Sequence, residues 1–209
     1  MNLKIITFFP LPCLSTVPST LAPSTNGEPT LISPSLETKR TLSKDTLEPS
    51  SREQFVSQII REILNEKDVL LTNVKVSFEG KNTELDNVII NNRGVFIIEV
   101  KNYSGILIGD EDDFEWIKNK YTEAGNFYQK SVKNPIKQIK RQVYILSGYL
   151  KAHGFDVWIE GYVFFVEGNS PINSKYILNT QKDINTVIHF GINNKLKKVD
   201  KEKIVEFIS

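Results

Sequence analysis

From residue 52 onward the chain alternates between two hydrophobic periods. Phe55, Ile59, Ile60, Ile63 and Leu64 recur at helical spacing, which predicts a helix over residues 52–65. Ser50 or Ser51 would cap it, and Glu53 would sit in its first turn, where a negative charge suits the helix dipole. Val69, Leu71, Val74 and Val76 then mark a strand over residues 69–78. Two more strands, residues 84–91 and 94–101, flank the turn Asn91-Asn92-Arg93-Gly94. The unbroken apolar run Val95-Phe96-Ile97-Ile98 belongs to a strand covered on both faces, hence central in its sheet. Short strands are expected at 106–108 and 114–118, on either side of the acidic turn Asp110-Glu111-Asp112-Asp113. Asn134-Pro135 has the form of a cap followed by proline in the first helical position. The helix it opens carries Ile136, Ile139, Val143, Leu146 and Leu150 on one stripe and ends by Gly154. A strong strand over 157–166, short elements near 176–178 and 180–187, and a closing helix over 200–208 complete the order. Such an order predicts an α/β domain, a central mixed sheet flanked by helices.

The first fifty residues are different. Residues 15–51 are rich in Pro, Ser and Thr and show neither period. A segment of that composition cannot bury enough apolar surface to offset its ordering entropy, so residues 1–50 are expected to be a disordered tail before a domain of 51–209. Ahead of it, Met1–Leu14 has a short apolar run broken by Pro10 and Pro12, a poor core for a signal peptide. Pro12 before Cys13 also speaks against lipidation. A cytoplasmic location is expected, with export as the alternative if that segment is a signal. No stretch approaches a membrane-spanning length.

Composition narrows the chemistry. The chain of 209 residues has 26 Lys and Arg against 25 Asp and Glu, so no global cationic field can draw in nucleic acid and a local basic patch would be required. One Cys excludes an internal disulfide and a cysteine-built zinc site. His153 and His189 are the only histidines, which leaves carboxylates as metal ligands and favours hard ions such as Mg²⁺ or Mn²⁺.

Three residues stand out on that background. Asp86 lies within one expected strand, and Glu99-Val100-Lys101 ends the next. Strand alternation turns Glu99 and Lys101 to one face and Val100 to the other. A carboxylate and an ammonium at the end of a buried strand cost desolvation unless each has a partner. Were Asp86 and Glu99 to meet across the hairpin, their repulsion would favour a divalent cation, with Lys101 beside it to act on water or phosphate.

Asp86 followed by Glu99-x-Lys101 on successive strands, behind a helix carrying Glu53, resembles the PD-(D/E)XK nuclease superfamily. The surrounding residues resemble more narrowly the nuclease-related domain, NERD. They are Arg52-Glu53-Gln54-Phe55-Val56, Glu84-Leu85-Asp86-Asn87-Val88, the string from Gly94 through Lys101 to Gly105, Trp116, and Asn134-Pro135-Ile136-Lys137-Gln138. The resemblance implies a restriction-endonuclease-like core. It implies that Asp86 and Glu99, with the Val100 carbonyl, hold Mg²⁺ or Mn²⁺. Lys101 would act on the water or scissile phosphate, Glu53 would support the site from the first helix, and Gln138 would complete it. Arg52 stands where the family often has Gly, and Asn87 where it tends to have His; neither departure removes a metal ligand.

The expected function is therefore metal-dependent phosphodiester hydrolysis, with DNA as the expected substrate, in DNA processing or defence. The alternative is a catalytically silent module that binds nucleic acid or a partner protein. A homodimer or a partner protein would be compatible with either. Plainer roles compete for several residues. Lys133, Lys137, Lys140 and Arg141 give the long helix a basic face that solvation alone would explain. Gln138 and Gln142 could be exposed helix residues, while Tyr103, Trp116 and His189 read better as packed side chains than as base-stacking groups or ligands. The spacing in Asp110–Asp113 does not fit a calcium loop.

Overall fold

A computed structural model describes residues 49–191, 196 and 198–209, so the expected N-terminal tail and signal-like segment lie outside the described residues apart from the last two positions. The helices are α1 (Pro49–Ile63), α2 (Pro135–Ala152), α3 (Gln181–Phe190) and α4 (Lys198–Ile208). The strands are β1 (Val69–Phe78), β2 (Lys81–Asn91), β3 (Gly94–Lys101), β4 (Ile106–Ile108), β5 (Glu115–Tyr121), β6 (Phe127–Lys133), β7 (Ile159–Phe165) and β8 (Ile177–Leu178). None of the described helices is long and apolar enough to cross a membrane.

The main sheet has the order β1-β2-β3-β7-β8, antiparallel through β3 and parallel from β3 to β8. This is the expected mixed α/β sheet with a restriction-endonuclease-like core. β3 is central, as its apolar run requires, and its side chains divide by parity. Val95 and Ile97 join the cluster beneath α2 and α4, with Ile139, Leu146, Ile204 and Ile208. Phe96, Ile98 and Val100 join the other, with Val56 and Ile60 of α1 and Ile184 and Ile188 of α3. By the same alternation Glu99 and Lys101 fall on the α2 side.

Three differences from the expectation have physical causes. α1 begins at Pro49, so Ser50 and Ser51 lie inside the helix rather than capping it. Proline fits the first helical position because its φ is already helical and no N–H is lost there. Glu53 thus falls beyond the first turn, whose four residues include no acid. The second difference is a separate antiparallel sheet, β4-β5-β6, carried in the connection between β3 and α2. Its third strand, β6, has no residue fully buried and therefore no inward-facing period to betray it. Third, the segment 180–187 is the start of α3, closed by a capping box in which Thr180 and Asp183 bond each other's backbone N–H.

α2 lies close to the sheet because Gly161 of β7 has no side chain. A Cβ there would come within 2.5 Å of Val143 and 2.6 Å of Ile139. The N-cap of α2, Asn134, accepts from the Ile136 N–H and donates to the carbonyls of Asp110, Glu111 and Asp113. The backbone of the acidic turn is thereby anchored, while Asp110, Asp112 and Asp113 keep exposed side chains, as a solvated turn requires.

Candidate active site

The site begins with a fault in the sheet. β1 pairs with β2 as Thr72↔Asn87 and then Val74↔Leu85, skipping Asn73 and Asp86. Asn73 has φ 55, the left-handed region that Asn tolerates better than most residues. On the other side, the β2–β3 ladder stops at Asn87↔Ile98, one step before Asp86 would face Glu99. Leu85 and Val88 both belong to the α2-side cluster, so side-chain parity slips by one across Asp86. Such bulge-like irregularities re-aim a side chain. Asp86 uses its freedom to accept the Val100 N–H at 2.8 Å, in place of a ladder bond.

Glu99 is 3% exposed and its two oxygens are shared among three donors. Lys101 Nζ lies 2.6 Å and Gln138 Nε2 2.5 Å from Oε1, and Gln142 Nε2 donates to Oε2 at 2.7 Å. Charge-assisted bonds of this kind supply what a buried carboxylate loses in water. Gln142, an expected exposed helix residue, is fully buried. Its signal was present: it stands three residues after Ile139 and three before Ile145, a polar side chain in the apolar stripe.

The electrostatics follow from this crowding. Burial and the neighbouring Glu99 push the Asp86 carboxyl from its ordinary 3.8 up to about 7, against the Val100 N–H and Lys101, which favour its charge. Glu53 is exposed but close enough to add repulsion. Burial alone would lower Lys101, but the charge and hydrogen bond of Glu99 outweigh it and hold the ammonium above its usual value.

The structure therefore brings Asp86, Glu99, Lys101 and Gln138 together, adds Gln142, and places Glu53 at the margin. Val100 contributes its N–H to Asp86. The two departures from the family pattern serve as anchors around these residues. Arg52 donates to Asn102 at 2.6 Å, tying α1 to the chain just beyond Lys101. Asn87, 1% exposed, accepts from Ser57 of α1 at 2.7 Å and donates to the Ile98 carbonyl. Trp116 is fully buried, stacked on Phe165 and bonded through Nε1 to the Asp110 carbonyl, so it cannot receive a base. His189 bonds the Ile63 carbonyl and Asn65, away from the carboxylates.

Among the described residues no three His, Cys, Asp or Glu side chains converge as a metal cage. The donor chemistry nevertheless fits a small hard cation, because Mg²⁺ is commonly held by one or two carboxylates and keeps several of its waters. Asp86 is a mostly buried acid whose charge the neighbouring Glu99 further disfavours, a repulsion that a cation would relieve.

Comparison with known proteins gives the family of the chain. Residues 49–166 match the nuclease-related domain, over half the chain. An uncharacterized protein of Bacillus anthracis is 30% identical over 76 residues, which is 36% of each chain, so this chain aligns with little more than a third of that relative's length. No solved structure matches. The match from α1 through β7 covers every residue of the site, and the chain belongs to the nuclease-related domain (NERD) family of the PD-(D/E)XK nuclease superfamily.

Proposed function

We propose that the chain is a nuclease dependent on Mg²⁺ or Mn²⁺ that hydrolyses phosphodiester bonds in DNA. The observation that carries the reading is the Asp86–Glu99 pair at the fault between β2 and β3, with Lys101 bonded to Glu99. Asp86 and Glu99, with the Val100 backbone, would hold the ion. When bound, it would supply the positive charge that polarises phosphate and water. Lys101 has its ammonium where it can steady the developing charge on a phosphate oxygen. Gln138 and Gln142 hold the Glu99 carboxylate in one orientation, and Glu53 contributes from α1 at the solvent edge.

One observation favours a second reading, a catalytically silent module that binds nucleic acid or a partner protein. Both oxygens of Glu99 already have side-chain donors, so the acid is satisfied without a cation. The two readings separate in one experiment. The full chain and Lys101→Ala are incubated with supercoiled, double-stranded and single-stranded DNA and with RNA, with Mg²⁺ or Mn²⁺ and with chelator. Cleavage that needs the metal and disappears in Lys101→Ala supports the nuclease. DNA bound but uncut by both proteins under every condition supports the silent module.

A further inference from the structure

The net charge of +1 demands a local basic surface if nucleic acid is to bind, and the long helix supplies only Lys137 and Arg141 without an acid partner among the described residues. Lys140 is paired with Glu111 at 2.9 Å, Lys137 lies over the Phe114 ring, and Arg141 donates to the Asn82 carbonyl. Of these only Lys140 is neutralised by an acid, and Lys133, expected on the same helix face, ends β6 instead. The small β4-β5-β6 sheet is different.

On β5 the side chains of Trp116, Lys118 and Lys120 share one face, and register places Val132, Lys130 and Tyr128 of β6 opposite them. Trp116 and Leu107 fix the inner end of that face in the core. The outer end projects beyond the core. Lys120 and Lys130 are exposed, as is 58% of Tyr128, and Lys118 is half-buried. Among the described residues no carboxylate pairs with Lys118, Lys120 or Lys130. Lys118 and Lys130 oppose each other directly, an arrangement that costs stability between like charges. An anion lying across both would reverse that cost.

The face also leads to the site. Lys118 Nζ lies 5.9 Å from the centre of the Tyr103 ring, and Tyr103 is two residues beyond Lys101 and feels its charge. The acid nearest in sequence, Glu115, falls on the opposite face, bonded to Ser131. Glu123 lies in the β5–β6 turn.

We propose that the face bearing Lys118, Lys120, Tyr128 and Lys130 is the track along which a DNA backbone reaches Lys101 and Glu99. The three ammonium groups take successive phosphates, and Tyr128 offers a ring on which a base can stack. This rests on the reading of the substrate as DNA, but not on the chain being able to cut it.

The test measures binding in chelator, where no cleavage occurs, by anisotropy of labelled DNA oligomers with the full chain. Lys118→Gln/Lys120→Gln/Lys130→Gln is compared with the parent and with Lys151→Gln/Lys182→Gln/Lys203→Gln, which removes equal charge from exposed positions elsewhere. Loss of three phosphate contacts lowers the slope of log affinity against log salt by about 2 to 3. The advantage of the parent over the track variant then shrinks by roughly 40-fold between about 50 and about 200 mM salt. The control variant is expected to keep the parent's slope to within about one contact. Far-ultraviolet circular dichroism confirms that each variant is folded. Equal affinity and slope for parent and track variant, or an equal loss in both triple variants, would overturn the proposal. So would a preference of the parent for RNA that depends on the same lysines. If the track variant loses DNA binding while the parent never cuts, the track stands and the nuclease reading fails. If the parent cuts and the track variant binds as well as it does, the track fails and the nuclease reading stands.

Discussion

Replacing Asp86 by Asn should make the protein more stable at neutral pH. The carboxyl titrates near 7 in the folded state, raised by burial and by Glu99, against an ordinary 3.8 in the unfolded chain. The folded state thus holds this proton more tightly than the unfolded one, and between those two values stability falls as pH rises. Well below 3.8 both states are protonated and the site costs nothing; well above 7 the loss is complete, roughly 4 kcal/mol at most. Asn keeps an oxygen for the Val100 N–H and carries no charge to repel Glu99. Urea unfolding in chelator is the assay, at about pH 4.5, 6 and 8. The expected gain of Asp86→Asn over the parent is about 1 kcal/mol at the lowest pH and about 2 to 4 kcal/mol at the highest. Added Mg²⁺ should narrow the gap at high pH by binding the ionised parent and leave it unchanged at low pH. A gain independent of pH, or a variant less stable than the parent at pH 8, would show that Asp86 is not a strained acid and remove the electrostatic case for a cation.

Gln142→Leu removes one of Glu99's three donors within the core and should cost about 1 to 3 kcal/mol in urea unfolding. Gly161→Ala drives a methyl group into Val143 and Ile139; about 1 to 3 kcal/mol of lost stability is expected, with reduced DNA cleavage because α2 carries Gln138 and Gln142. Asn73→Val places a β-branched residue at φ 55, for a cost of roughly 1 to 2 kcal/mol, whereas Asn73→Gly should be tolerated. Thermal unfolding separates the two, and equal melting temperatures would mean that β1 does not need the kink.

The parts of this fold that show in the sequence are those with one buried face. α2 announces itself through Ile136, Ile139, Leu146 and Leu150, and β3 through four apolar residues in a row. β6 is invisible because Phe127 and Tyr128 are adjacent and both exposed, so neither face repeats. The buried stripe of α1 is rotated from the expected one: Val56, Ser57 and Ile60 are buried, while Phe55 and Ile59 are only half-buried. At the site, Asp86, Glu99 and Lys101 are legible because charge at the end of an apolar strand is costly without a purpose. The fault that lets Asp86 leave the ladder is not, because it depends on the conformation of Asn73, thirteen residues earlier and on another strand. Gln142 lay within reach, since a glutamine on a core stripe needs a partner as surely as a buried acid does.

The parallel pairing of β3 with β7 sets the order in which this site can come into being. Glu99 lies opposite Val163, roughly 60 residues further along, and the small sheet and α2 fill the interval. A growing chain that has emerged only through β6 already contains both acids and Lys101, but neither glutamine that holds Glu99 in place. The site is completed only when α2 docks and β7 closes the loop, a non-local and therefore slow step. The family match ends at residue 166, one position past β7, and so includes the strand that closes this circuit. Under the nuclease reading, a chain still on the ribosome would carry its acids disarmed, and any cutting of nucleic acid would wait for the last central strand.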